Sequence, residues 1–261
     1  FGIMITDGDG RITDFEEKPE HPRSNLASMG IYIFTWKTLK EALLANRHEE
    51  GLDFGKHVIP YCREKGYPLY AYEFNGYWKD VGTLTSYWEA NMELIDIVPE
   101  FNLYEEYWKI YTKSTSITPQ FFGPNSEIER TIAGEGTEVY GKVYSSVIGC
   151  DVTIGEGSVV RNSIIMNGAV IGAGCILDKV ICAENSVIGD GAVLGEGEEA
   201  PNESRPDIYC GGLVTIGENS VIPAGVRIGK NVMISGQTRE EDYPGGRLAS
   251  GKTLQVEAQM P

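Results

Sequence analysis

The sequence predicts an α/β domain built on a mixed sheet, followed by a left-handed parallel β-helix. Two observations carry this reading. Before about residue 117, strand-like and helix-like stretches alternate. After it, aliphatic residues recur every six positions with glycine beside many of them, and no helical periodicity is visible. The expected boundaries are 1–100 for the α/β part, 101–116 for a linker and 117–261 for the β-helix with a C-terminal tail.

In the first part, Gly2–Thr6 reads as a strand, Asp7–Gly10 as a tight turn and Arg11–Glu16 as the returning strand of a hairpin. Ser28–Phe34 reads as a second apolar strand. Trp36, Leu39, Leu43 and Leu44 are spaced as on a helix running from about 35 to 46. Asp53 is a candidate N-cap for a helix from about Phe54 to Lys65. Residues 69–74 and 77–81 read as short strands, and about 84–96 as a further helix. This order suits a sheet covered by helices.

In the second part, Ile216, Ile222, Ile228 and Ile234 lie six apart, as do Ile148, Ile154 and Val160. Ile165, Ile171 and Leu177 follow after a one-residue slip, then Ile188 and Leu194. Three hexads make one triangular coil, with the aliphatic anchor inward and a small residue easing each corner. A lone strand of this length buries no core, so stacked coils must supply it. About a dozen hexads give about four coils. The stretch Glu196–Gly212, rich in Glu, Pro and Asn, reads as a loop extruded from the solenoid. A β-sandwich would instead show period-two alternation.

The formal charge of −16 argues against nucleic acid as a partner, because a phosphate backbone needs a basic face. No apolar run is long enough to span a membrane. The five cysteines show no CxxC spacing, which fits reduced thiols in a cytoplasmic protein. The chain starts at Phe1 within a strand-like stretch and without a secretion signal, so it is expected to be part of a longer protein.

Four clusters could carry chemistry. In Phe15-Glu-Glu-Lys-Pro19, Lys18 at a strand end could offer a point charge to a phosphate, although such a stretch also makes an ordinary solvated turn. Ser28 brings a hydroxyl to a strand mouth. Asp53 either caps the helix or accepts hydrogen bonds from sugar hydroxyls. In Gly76–Thr83, Trp78 could lie on the apolar face of a sugar ring while Asp80, two residues on, binds a divalent cation; the alternative is a buried Trp with Asp80 as helix cap.

FEEKP, SMGIYIF, DFGKHVIP and YWKDVGT occur in that order ahead of hexapeptide repeats. The combination resembles the glucose-1-phosphate adenylyltransferase family over nearly the whole chain. FEEKP alone is shared by many sugar nucleotidyltransferases, whereas the other three together are more specific. The resemblance implies a Rossmann-like nucleotidyltransferase remnant, and the reaction of ATP with α-D-glucose 1-phosphate to ADP-glucose and diphosphate in glycogen biosynthesis. It implies that Lys18 binds the sugar phosphate, that Glu17, Ser28, Asp53, Phe54 and Trp78 contact the sugar, and that Asp80 is one of two aspartates holding Mg²⁺. It also implies a homotetramer or heterotetramer built through the β-helix, and an allosteric sugar phosphate or adenine nucleotide.

The family's GGxGxRL phosphate loop and its second metal aspartate do not occur in this sequence, so the 261 residues by themselves are expected to be inactive. Rival readings are a guanylyl-, uridylyl- or thymidylyltransferase and a non-catalytic regulatory subunit of the same family. A hexapeptide acyltransferase would need a histidine among the repeats, and His21, His48 and His57 all precede them. A purely structural solenoid leaves the first hundred residues unexplained.

Overall fold

A computed structural model describes residues 1–111 and 117–256. The chain divides into two compact units, Phe1–Trp78 and a second beginning at Lys79. Part of the expected linker (112–116) and the end of the expected tail (257–261) lie outside the described residues.

In the first unit, β1 (Gly2–Thr6) and β2 (Ile12–Glu17) form the expected antiparallel hairpin. Asp7 closes its turn by accepting the amides of Asp9 and Arg11 at 3.0 and 2.9 Å. A short third strand, β3 (Leu26–Ala27), pairs with the other edge of β1, giving the order β2-β1-β3. Helix α1 (Trp36–Ala45) buries Ala42 against Val58 and Cys62, with Leu43, Tyr61 and Leu69 packed around them. Asp53 does cap the next helical segment, its carboxylate accepting the Lys56 amide at 2.9 Å. That segment opens as a wide π-type turn (Phe54–Val58) and tightens into α2 (Ile59–Glu64). The change falls at Pro60, which has no amide to give to the helical ladder.

Three expected strands are absent. Ser28–Phe34 and residues 77–81 form no ladder, and 69–74 contributes only an isolated bridge between Arg11 and Tyr70. The Ser28 amide donates to the Gly2 carbonyl, and Leu69 and Ala71 bond to Ile12 and Gly10 beside the bridge, but no ladder extends from these contacts among the described residues. Ile33 and Tyr72 are correspondingly 99% and 88% exposed. Without a strand at 77–81, the shared-face argument linking Trp78 to Asp80 does not hold.

The second unit is a parallel β-solenoid of three sheets with six, seven and seven strands. Every hexad anchor named above is at most 2% exposed, the four isoleucines from 216 to 234 included. Strands run from Phe121–Phe122 to Thr253–Gln255, so there are about seven coils, more than the four expected. The shortfall arose because terminal and interrupted coils carry fewer aliphatic anchors: Cys182 fills the inward position between Ile165 and Ile216.

The one-residue slip also has a structural cause. Paired residues in the middle coils, such as Ile154 with Ile171 and Val160 with Leu177, lie 17 apart, whereas Ile216 and Ile234 lie 18 apart. One side of each middle coil is therefore a residue short. Burial pushes the Cys182 thiol up to about 12, in keeping with a packing role.

Buried serines close the polar accounts at the corners. Ser146 accepts the amide of Ser163, and Ser163 that of Val180, each one coil on; Ser158 and Ser186 do the same for Cys175 and Ser220. The Glu196–Gly212 stretch does leave the solenoid, between Val193–Leu194 and Val214–Ile216. Asn231, buried beneath it, accepts the Gly212 amide at 2.7 Å and donates to the Ala200 carbonyl at 2.9 Å. Asn231→Ala is expected to cost about 1–3 kcal/mol by stranding both backbone groups, read as a lower denaturation midpoint.

Helix α3 (Leu84–Glu93) lies on the solenoid's flank. Leu84, Tyr87, Trp88 and Met92 pack on Ile164, Ile181 and Leu213, and the Trp88 indole donates to the Asn162 carbonyl at 2.7 Å. Thr83 and Ser86 form its capping box. No helix among the described residues is long and apolar enough to cross a membrane.

Candidate functional site

β1 is the middle strand of its sheet, so the end of β2 and the residue after β3 both meet its first residues. Glu17 pairs with Gly2, the Lys18 amide donates to the Phe1 carbonyl at 3.0 Å, and the Ser28 amide donates to the Gly2 carbonyl at 2.7 Å. Glu17, Lys18 and Ser28 are thus gathered at one edge by ladder geometry, although Lys18 and Ser28 lie ten positions apart in the sequence.

The other candidates in this unit join through contacts. Ser28 Oγ lies 3.1 Å from the Tyr32 hydroxyl, and the Tyr32 ring stacks on Phe54 with centroids 5.3 Å apart. Gly55, next in sequence, is buried against Glu17: a Cβ there would sit 2.4 Å from Glu17 Oε2 and 3.3 Å from Asp53 Oδ1. A side chain at this position would have to push the Glu17 carboxylate aside. Trp78, 38% exposed, meets the Phe1 ring edge-on at 5.7 Å.

The resulting edge combines two carboxylates (Glu17 and Asp53), a hydroxyl (Ser28), exposed aromatic surface (Phe54 and Trp78) and one cation. Lys18 is exposed, and its ammonium makes no ion pair with a carboxylate among the described residues. Its backbone φ is +48°, a left-handed conformation uncommon for a residue with a Cβ. Such an edge can offer hydrogen-bond acceptors to hydroxyl groups, a flat apolar face to a ring and a point charge to an anion. Phe1, Tyr32 and Gly55 were not anticipated as its neighbours. Only Gly55 had a signal, its place directly after Asp53-Phe54.

Asp80 belongs to the second unit. It is exposed, and its Oδ1 accepts the Gly82 amide at 3.0 Å; Thr83, not Asp80, caps α3. Among the described residues no group of three or more His, Cys, Asp or Glu could hold a metal ion. Asp80 thus stands as a single carboxylate rather than as part of such a group.

Comparison with known proteins matches the two parts of the chain to two families, the first match running beyond Trp78 to include Asp80 and α3. Residues 1–97 match the nucleotidyl transferase family model, and residues 122–216 the GlmU-like C-terminal hexapeptide model. The chain is similar to glucose-1-phosphate adenylyltransferases from three bacteria. It is 64% identical over 217 residues to that of Lachnospira eligens, covering 83% of this chain and 51% of the relative. It is 53% identical over 220 residues to that of Thermotoga maritima, covering 83% and 52%. It is 43% identical over 219 residues to that of Acetivibrio thermocellus, covering 83% and 51%. The chain thus spans about half the length of the curated relatives it matches.

Proposed function

The chain belongs to the glucose-1-phosphate adenylyltransferase family, and we propose that its β1 edge is the sugar-phosphate pocket of an enzyme that makes ADP-glucose and diphosphate from ATP and α-D-glucose 1-phosphate. The observation carrying this reading is the exposed Lys18 ammonium, free of carboxylate partners among the described residues, beside Glu17, Ser28, Asp53, Phe54 and Trp78.

In the reaction, a phosphate oxygen of glucose 1-phosphate attacks the α-phosphorus of ATP in line, and the bond to the departing diphosphate breaks. No protein nucleophile is needed, so the residues act by positioning and by charge. Lys18 holds the attacking phosphate. Glu17, Asp53 and Ser28 take the sugar hydroxyls, and Trp78 and Phe54 offer apolar surface to the ring. Mg²⁺ is the expected cation. Asp80 would give it one of the two aspartate carboxylates that the resemblance implies, and the ion would supply charge to neutralise the phosphate oxygens.

The solenoid is read as the part that assembles a homotetramer or heterotetramer and takes part in control by a sugar phosphate or adenine nucleotide. The setting is cytoplasmic glycogen biosynthesis. A regulatory subunit that had lost catalysis would be expected to give up Lys18 or Asp80, and both are retained.

Calorimetric titration of the 261-residue chain tests the pocket. Glucose 1-phosphate is expected to bind, with ATP at least about tenfold weaker, a difference of 1.4 kcal/mol. Because no GGxGxRL loop occurs in these residues, chromatography of ATP and glucose 1-phosphate incubated with the chain is expected to reveal no ADP-glucose. Absence of glucose 1-phosphate binding would sink the pocket assignment.

A further inference from the structure

We propose that Arg23 is a positioning residue for this site: by gripping Asp14 and Glu16 it clamps the loop 18–25 and keeps Lys18 at the β1 edge. The inference rests on the sugar-phosphate reading of Lys18.

The left-handed φ of Lys18 persists only where the surroundings hold it. Its amide is pinned by the Phe1 carbonyl, but the chain then runs through Pro19 and Pro22, which offer no backbone donors. Arg23 supplies the next grip. Its Nε donates to Glu16 Oε1 at 2.5 Å, and its Nη2 donates to Asp14 Oδ2. Asp14 and Glu16 are two apart on β2 and share a face, opposite to that of Glu17. Arg23 thus engages the strand on the side away from Glu17 and influences the site only through the loop. Ser24 continues the anchoring by accepting the Leu26 amide at 3.1 Å, which leads into β3 and Ser28.

An exposed ion pair usually contributes little, but this arrangement differs in two ways. The guanidinium spans two carboxylates, and Arg63 of α2 shares Asp14 at 2.9 Å while donating to the Thr13 carbonyl at 3.1 Å. In addition, Glu16 Oε2 is buried without a hydrogen-bond partner among the described residues. Without Arg23, the partly buried Glu16 carboxylate would lose its guanidinium partner, and Arg63 would be left to pair with Asp14 alone. The hydrogen bond from Arg23 holds the Asp14 carboxyl below the usual carboxylate range, which agrees with this geometry.

The test compares the 261-residue wild type with Arg23→Ala and Arg23→Lys, by hydrogen exchange and by titration with glucose 1-phosphate. In Arg23→Ala the Lys18 amide is expected to exchange about tenfold faster or more, with the amides of α1 and α2 unchanged as proof that the same unit stays folded. The same variant should bind glucose 1-phosphate roughly fivefold to twentyfold more weakly. Arg23→Lys should recover only part of both effects, since an ammonium lacks the fork that spans two carboxylates. Unchanged Lys18 protection in Arg23→Ala overturns the clamp. Lost protection with unchanged affinity overturns the positioning role. A wild type that binds no glucose 1-phosphate overturns the sugar-phosphate reading and the positioning role with it, while the exchange data still decide the clamp.

Discussion

Replacing Lys18 by alanine is expected to weaken glucose 1-phosphate binding by about 2–4 kcal/mol, or roughly 30-fold to 1,000-fold. The size follows from the bond lost. A charge-assisted hydrogen bond to a phosphate is stronger than a neutral one, and a phosphate held among protein groups without its cation remains partly desolvated. Lys18 should matter more than any single hydroxyl-binding partner, because Ser28 and Asp53 are already engaged, Ser28 with Tyr32 and the Gly30 amide, Asp53 with the Lys56 amide. Lys18→Arg should retain part of the affinity. Titration of these variants with glucose 1-phosphate separates the outcomes. A change within about twofold for Lys18→Ala, less than ~0.5 kcal/mol, would reduce Lys18 to a turn residue. The pocket would then have to be rebuilt around Asp53 and Trp78.

Ile216→Ala should unsettle the solenoid by about 2–5 kcal/mol, combining lost burial with the cavity left behind. Ile216 is fully buried and sits between Cys182 and Ile234 in its stack, both fully buried in turn, so neither is free to move into the gap. Val187→Ala serves as the comparison. It lies on a strand of the same solenoid, but its side chain is on the outward face and is 39% exposed, so its cost should stay below about 1 kcal/mol. Denaturant unfolding of both variants checks the contrast, and an Ile216→Ala midpoint equal to that of Val187→Ala would contradict the inward assignment. Because coils interact chiefly with their neighbours, hydrogen exchange should reveal the loss strongest around 182, 216 and 234.

The solenoid was far more legible in the sequence than the first unit, and the reason is physical. A hexad anchor repeats its environment at every coil, so Ile154, Ile171 and Ile188 report one position three times. In the first unit each residue reports itself once. The β1–β2 hairpin was readable because its turn closes locally through Asp7. Ser28–Phe34 and residues 77–81 were not, because a strand is made by its ladder partner, and apolar alternation alone cannot say whether one is present. The candidate site was legible as residue types in motifs, but its assembly was not. Nothing in FEEKP or SMGIYIF says that Lys18 and Ser28 meet at Phe1–Gly2; that follows from the order β2-β1-β3. Arg23 carried no signal, since its partners Asp14 and Glu16 look like ordinary surface acids until the loop folds back onto them.

The buried corner serines act as a ruler. Each hydroxyl accepts an amide from the following coil, and most also donate to a carbonyl, as Ser158 does to Gly172 at 2.6 Å and Ser186 to Gly217 at 2.8 Å. Sliding one coil past the next by a single residue would break every such bond at that level and bring an outward side chain into the core. Extra length therefore cannot be shared out along the axis. It has to be shed at one place, as happens between Leu194 and Val214, after which the next rung resumes in phase with Ile181 above Thr215. Deletions within this protein should accordingly be tolerated in units of a whole coil or within the extruded stretch, and a loss of two or three residues from a rung should misalign everything that follows it.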